Sequence, residues 1–214
     1  MQVDNYRLVK SLGWTAIGGS LALPITDVIA ILLRPGYNPF SSSVSHLALG
    51  PTGWIQGIGL YLGGIGAIAC ALGLSVALSK QWEVRLGEAL LFLVGVGLIL
   101  AATFHTDPHG HEFDLHGKIH AWVSFASGVF ILPAFFLVSP GIRNNRHLFA
   151  YTIIAGIVQI ILEVGRGRLP SNWVLFGLHE RLIGANAVLW IIVISWTMLV
   201  KRRSAEAGRG SLSF

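Results

Sequence analysis

WIQGIGLYLGGIGAIACALGLSVAL, residues 54–78, runs for 25 residues without a charged side chain. At 1.5 Å per residue, a helix of this length crosses the ~30 Å hydrocarbon layer of a bilayer. Lipid offers no partner to a bare amide, so such a segment must satisfy its backbone internally, as helix. Gly59, Gly63, Gly66, Cys70 and Gly73 recur at three- and four-residue steps. They predict one narrow face of small residues, where a neighbouring helix or a second copy of the chain can approach closely.

Five further apolar segments accompany it, at roughly 13–33, 86–104, 119–138, 148–164 and 182–200. The predicted fold is therefore all-α: a polytopic membrane protein of six transmembrane helices in a single domain, residues 1–200. Composition agrees. The chain has 214 residues, 53% hydrophobic and 12% charged, about half the charged share of a soluble domain. Pro35, Pro39 and Pro51 bracket the first loop, and residues 80–85 form the second. Pro140-Gly141 is expected to open the fourth loop, and Gly165, Gly167 and Pro170 to interrupt the fifth helix. The first apolar run is too long for a cleavable signal and lacks a small-residue cleavage site, so it reads as a retained span. The tail KRRSAEAGRGSLSF, 201–214, reads as disordered and cytoplasmic.

The net charge of +5 does not indicate nucleic acid, because the basic residues flank apolar runs. Ten Lys and Arg fall on the side of the termini and loops two and four; five (Arg34, Lys118, Arg166, Arg168, Arg181) fall on the other. The positive-inside rule then puts both termini in the cytoplasm. Trp54, Trp82, Trp122 and Trp173 lie near span ends, as interfacial aromatics do. A single cysteine excludes an intrachain disulfide and argues against a Cys-based metal site.

Titratable groups gather opposite the termini. FHTDPHGHEFDLHGKIHAW, 104–122, holds five of the eight histidines. With this topology His46, His105, His109, His111, His116, His120 and His179 share one side, and only His147 lies on the other. His116 and His120 share a helix face, continued by Ser124 and Ser127. Thr152, Gln159, Glu163 and Arg166 form a stripe on span five, and Ser20, Pro24 and Asp27 one on span one. On span six His179, Ile183 and Asn186 do the same, beside Glu180 and Arg181. Ionisable groups at membrane depth face an interior cavity by default, so an outward polar pocket is expected. The first loop, with Ser42 and His46 four apart on a short helix-like run, reads as a lid over it or as a plain amphipathic connector.

Three chemistries fit this pattern. In the first, His116 and His120 bind zinc with His46, His105 or His179 as third ligand, and Asp107 holds the attacking water. In the second, Asp107, Glu163 and Glu180 pair with Arg166, Arg168 and Arg181 to hold the helices together, while His109 and His111 sit in solvent. In the third, Arg166, Arg168 and Arg181 capture a lipid phosphate or organic anion. Haem ligation by facing histidines is disfavoured by their positions at span ends.

The succession YNPFSSSVSHLALGPTGW, FHTDPHG, HGKIHAW and GLHERLIGANAVLW resembles a bacterial and archaeal membrane family known as domain of unknown function, number 998. That resemblance implies a six-helix integral membrane protein, in the cytoplasmic membrane of such a cell, and draws attention to Ser45, Asp107, His120, Glu180 and Arg181. A more distant likeness is to the CREST membrane hydrolases, through Ser42-x-x-x-His46, Asp107 and His116-x-x-x-His120 in that order. It implies zinc-dependent hydrolysis of a lipid amide, although here the paired histidines lie mid-chain and not in the last span. The leading expectation is thus a metal-dependent hydrolase of a lipid or amphiphile. In it His46, His116 and His120 bind zinc, Asp107 and Ser42 serve catalysis, and Arg166, Arg181, Glu180 and Glu163 bind substrate. The alternative is a non-enzymatic accessory subunit, small transporter or lipid-binding protein with structural ion pairs. Membrane lipid and a second copy are the expected partners, and nucleic acid is not.

Overall fold

The structure, a computed structural model, describes residues 2–108, 114–170 and 172–210. Six helices make up the fold: α1 (Gln2–Leu32), α2 (Gly53–Ala77), α3 (Trp82–Thr103), α4 (Leu115–Ile142), α5 (Arg146–Arg168) and α6 (Phe176–Gly210). Each contains a stretch long and apolar enough to cross a bilayer. Ile25, Val28, Phe125, Ile154 and Ile161 stand exposed on the outer surface, as side chains facing lipid do. By helix composition this is a multi-pass membrane protein.

The helices overrun the apolar segments, and local chemistry explains where they stop. Asp114 Oδ1 accepts from the Gly117 amide at 2.9 Å and starts α4 before the apolar run begins. Asn145 caps α5 in the same way, accepting from the Leu148 amide at 3.3 Å. Pro140 does not open a loop: α4 continues to Ile142. The Phe136 carbonyl, which Pro140 cannot bond, instead accepts from Ser139 Oγ at 2.8 Å. Nor do Gly165 and Gly167 interrupt α5, which ends at Arg168 with Leu169 extended ahead of Pro170. Gly165 serves close approach, since a Cβ there would lie 3.1 Å from the His179 ring. Where a disordered tail was expected, α6 runs on to Gly210 through a stretch rich in the helix formers Lys, Arg, Ala and Glu. Residues 211–214 lie outside the described residues.

Consecutive helices pack side by side and α6 closes onto α1, giving a ring of six. One end of the ring carries the loops after α1, α3 and α5 (the odd-loop end), and the other carries the chain termini (the terminal end). The predicted glycine face of α2 is taken by α1 within the chain: a Cβ on Gly66 would lie 2.8 Å from the Ser20 amide nitrogen. A second close approach went unread in the sequence. A Cβ on Gly64 or on Gly95 would lie 2.6 Å from the other's carbonyl oxygen, so α2 and α3 also meet backbone to backbone.

The terminal half is filled. Val9, Leu74, Leu91, Val138, Ile194 and Met198 are buried together, and the Phe135 and Trp190 rings pack at 4.4 Å. Arg85 donates to Glu88 at 2.8 Å and to the Ser75 carbonyl at 2.8 Å, tying α3 to the end of α2. The odd-loop half encloses a cavity.

Candidate functional site

The cavity is closed at the odd-loop end by loop one. This loop carries a short 3-10 helix, Val44–Ala48, started by Ser43 Oγ accepting from the Ser45 amide at 3.3 Å. Leu47 is fully buried with Ala30 and Ile55, so the segment dips into the ring. Hydrogen bonds from α6 and from within the loop hold loop one in place. Glu180 Oε2 accepts from the Val44 amide at 2.9 Å, and Arg34 donates to the His46 carbonyl. The Phe40 carbonyl accepts from the Leu178 amide at 2.9 Å. Tyr37 Oη donates to the carbonyls of Ser43 and Ser42 at 2.8 and 3.0 Å. Burial pushes the Tyr37 phenol above its ordinary pKa, against the opposing pull of Arg181.

So held, the 3-10 helix presents Ser45 to His120, whose side chain is buried on α4. His120 Nδ1 lies 2.8 Å from the Phe104 carbonyl and 3.1 Å from that of Ala101. Carbonyls only accept, so these neighbours assign the proton to Nδ1. Nε2 is left with its lone pair, and Ser45 Oγ, 3.1 Å away, donates to it. This is a hydroxyl–imidazole pair with the tautomer a general base requires.

The cavity has a volume of about 250 Å³ and reaches from this pair toward mid-bundle. Ser45, His120, Glu180, Glu163, Arg166 and Gln56 supply its polar wall, while Leu23, Val94, Ile131 and Ile191 line it with apolar surface. Glu163 accepts from Arg166 at 3.1 Å. Gln56 is fully buried, and among the described residues neither its amide oxygen nor its amide nitrogen has a partner. Ser20 Oγ, also on the lining, has none either. A buried amide left unpaired is costly, which is the mark of a group reserved for a ligand or water.

Of the residues singled out from sequence, Ser45, His120, Glu163, Arg166 and Glu180 line the cavity, as do Ser20, Ser124, Ser127, Gln159 and Ile183. The others serve elsewhere. Arg181 grips Asp27 at 2.9 and 3.3 Å and also donates to Tyr37 Oη, the Pro39 carbonyl and the Gly177 carbonyl. Asp107 accepts from the Asp114 amide at 3.0 Å, closing the loop between α3 and α4. Ser42 contributes its carbonyl to Tyr37, and its side chain is not on the cavity lining. His179 Nε2 contacts the Leu162 carbonyl at 2.8 Å. Asn186 donates to Gln159 at 2.7 Å. Arg168 is exposed at the end of α5.

The expected zinc triad of His46, His116 and His120 is not assembled. Among the described residues, no three His, Cys, Asp or Glu side chains gather at metal-binding spacing. His116 lies one helical turn toward the odd-loop end from His120, is exposed, and sets its ring edge-on to Phe104 at 5.3 Å. His46 is not on the cavity lining, and both nitrogens of His120 are already engaged. Among the described residues, His120 is the one histidine on that lining. His109 and His111 lie outside the described residues. Two contributors were not read from residue spacing. Ser45 was singled out only through a family likeness, because Ser42 gave the better spacing to His46. Gln56 was overlooked as part of a glycine-rich face. A lone amide side chain inside an otherwise uncharged span was the signal.

The chain belongs to the family described as protein of unknown function, DUF998. The match covers residues 17–197 and so includes every cavity residue named above. No curated protein and no solved structure matches the chain.

Proposed function

We propose that this DUF998 protein is a hydrolase of a lipid or other acyl amphiphile, with Ser45 as nucleophile and His120 as general base. The observation that carries the reading is the 3.1 Å contact from Ser45 Oγ to a His120 Nε2 whose partner nitrogen is held by two carbonyls. Ser45 Oγ attacks the acyl carbonyl and His120 Nε2 takes the hydroxyl proton. His120 then hands that proton to the leaving group, and water repeats the sequence on the acyl-enzyme. Gln56, with an unpaired amide N–H on the same cavity, is the donor available to the developing oxyanion. The apolar lining suits a hydrocarbon chain, and the Glu163–Arg166 pair a polar head. The excess of basic residues at the terminal end supports a site in the half of the bundle away from the cytoplasm, in a bacterial or archaeal cytoplasmic membrane.

The test is covalent capture. Detergent-purified protein is treated with a long-chain fluorophosphonate, which phosphonylates activated serines with loss of fluoride. Labelling at Ser45, lost in Ser45→Ala and in His120→Gln, is the expected result. Equal labelling of the parent and Ser45→Ala overturns the assignment. A non-enzymatic reading draws on the Asp27–Arg181 pair and its ties to loop one, which support a purely structural role for that cluster. It predicts no modification of Ser45 by any acylating probe.

A further inference from the structure

On one side the cavity is bordered by a second space. Between α4 and α5 a groove of about 540 Å³ is lined by Phe125, Val129, Leu132, Val164, Gly167 and Phe176. Phe125, Val129 and Val164 are exposed on the outer, apolar surface of the ring. The groove and the central cavity share three lining residues: Gly128, Glu163 and Arg166. Glu163 and Arg166, bonded at 3.1 Å, therefore stand at the junction of the two spaces. Gly128 sits beside them, and a Cβ there would lie 3.0 Å from Glu163 Oε1 and 3.5 Å from Arg166 Nη2. Glycine at this position keeps the wall between groove and cavity as thin as backbone allows.

We propose that this groove is a lateral portal by which a single acyl chain passes from the bilayer into the cavity, its polar head steered by the Glu163–Arg166 pair. Three observations select a bilayer chain as the occupant. The groove opens where the exposed surface is hydrocarbon, it shares a wall of Gly128, Glu163 and Arg166 with a cavity of mixed polar and apolar lining, and a cation stands in that wall. The odd-loop end is meanwhile held shut by the contacts of Glu180, Arg34 and Tyr37 on loop one. The proposal rests on the reading of the cavity as an amphiphile site, and not on any reaction at Ser45.

The experiment uses the full chain in lipid nanodiscs, with a long-chain fatty acid carrying a diazirine near its methyl end. After illumination, the labelled residues are mapped by mass spectrometry. Labelling is expected in the groove and at the cavity residues Ile131 and Ile191. Gly167→Leu fills the groove from the α5 side, where a Cβ meets nothing within 4 Å; Val129→Trp fills it from the α4 side. Each variant is expected to lower cavity labelling about tenfold while melting like the parent. Cavity labelling unchanged in both variants, or absent from the parent while the nanodisc lipid phase is labelled, overturns the portal. Ser45→Ala is expected to label like the parent, and fluorophosphonate reactivity in detergent is expected to survive Gly167→Leu. Failure of the portal and failure of the hydrolase reading are thereby distinguished.

Discussion

Asp27 and Arg181 meet across 154 residues of sequence, in a two-pronged pair of 2.9 and 3.3 Å that joins α1 to α6. The remaining Arg181 donors reach carbonyls of loop one and of its own helix. One guanidinium thus closes the helix ring and seats the segment that carries Ser45. Arg181→Ala leaves a largely buried Asp27 carboxylate without its cation, a loss of about 3–5 kcal/mol for a buried pair. A marked fall in melting temperature in detergent is expected. Arg181→Lys is expected to recover only part of it, since an ammonium cannot form the two-pronged contact. Parent-like melting of Arg181→Ala would remove this role.

The Ser45–His120 contact behaves differently if its purpose is chemical. A single neutral hydrogen bond contributes about 1 kcal/mol to stability, so Ser45→Ala is expected to melt close to the parent. Fluorophosphonate labelling is expected to vanish. A large loss of melting temperature in Ser45→Ala, with no labelled residue in the parent, is the signature of a structural clasp instead.

Loop one carries a pH dependence. The Tyr37 phenol is raised above its ordinary value, chiefly by burial, so the folded protein keeps this proton in a range where the unfolded chain has lost it. The fold binds more protons there, and stability must fall as pH rises. The contribution is fully present below about pH 10 and is lost as pH climbs through the folded-state value. Melting temperature measured across the alkaline range is expected to fall more steeply for the parent than for Tyr37→Phe. Parallel curves would disconnect Tyr37 from the alkaline response.

Zinc serves as a control. The donors expected to bind it are dispersed, with His116 exposed against Phe104 and His120 committed to Ser45 and two carbonyls. Treatment with a chelator, or His116→Ala, is expected to leave Ser45 labelling and melting temperature unchanged. Loss of labelling on chelation, restored by added zinc, would return the metal to the site.

The six helices were legible because an uncharged run of membrane-crossing length admits one backbone solution. Their ends were less so: the caps at Asp114 and Asn145 extend α4 and α5 into polar sequence, and Ser139 allows α4 to pass Pro140. The clustering of histidines at the odd-loop end was legible from span parity, but parity specifies an end and not a depth. One helical turn separates the buried His120 from the exposed His116, and that turn decides which imidazole meets the cavity. Ser45 follows from the curl of loop one, which depends on Tyr37, Glu180 and Arg34. The Glu180 contact spans 136 residues and leaves no spacing pattern to read.

Gln56 offers the most direct opposition of stability and function. Its amide is fully buried with neither end bonded among the described residues, so it burdens the fold by about 1–3 kcal/mol. Gln56→Met keeps the length and flexibility of the side chain and removes the polar atoms. If the amide exists only to pack, the variant gains stability and loses nothing. If it holds the acyl carbonyl during attack by Ser45, the variant gains stability and loses acylation rate, by about 10²-fold or more for the removal of an oxyanion donor. The expected outcome is a higher melting temperature together with slower fluorophosphonate labelling of Ser45. A higher melting temperature with an unchanged labelling rate would leave Gln56 outside the chemistry, and a lower melting temperature would point to a water-bonded amide that supports the fold.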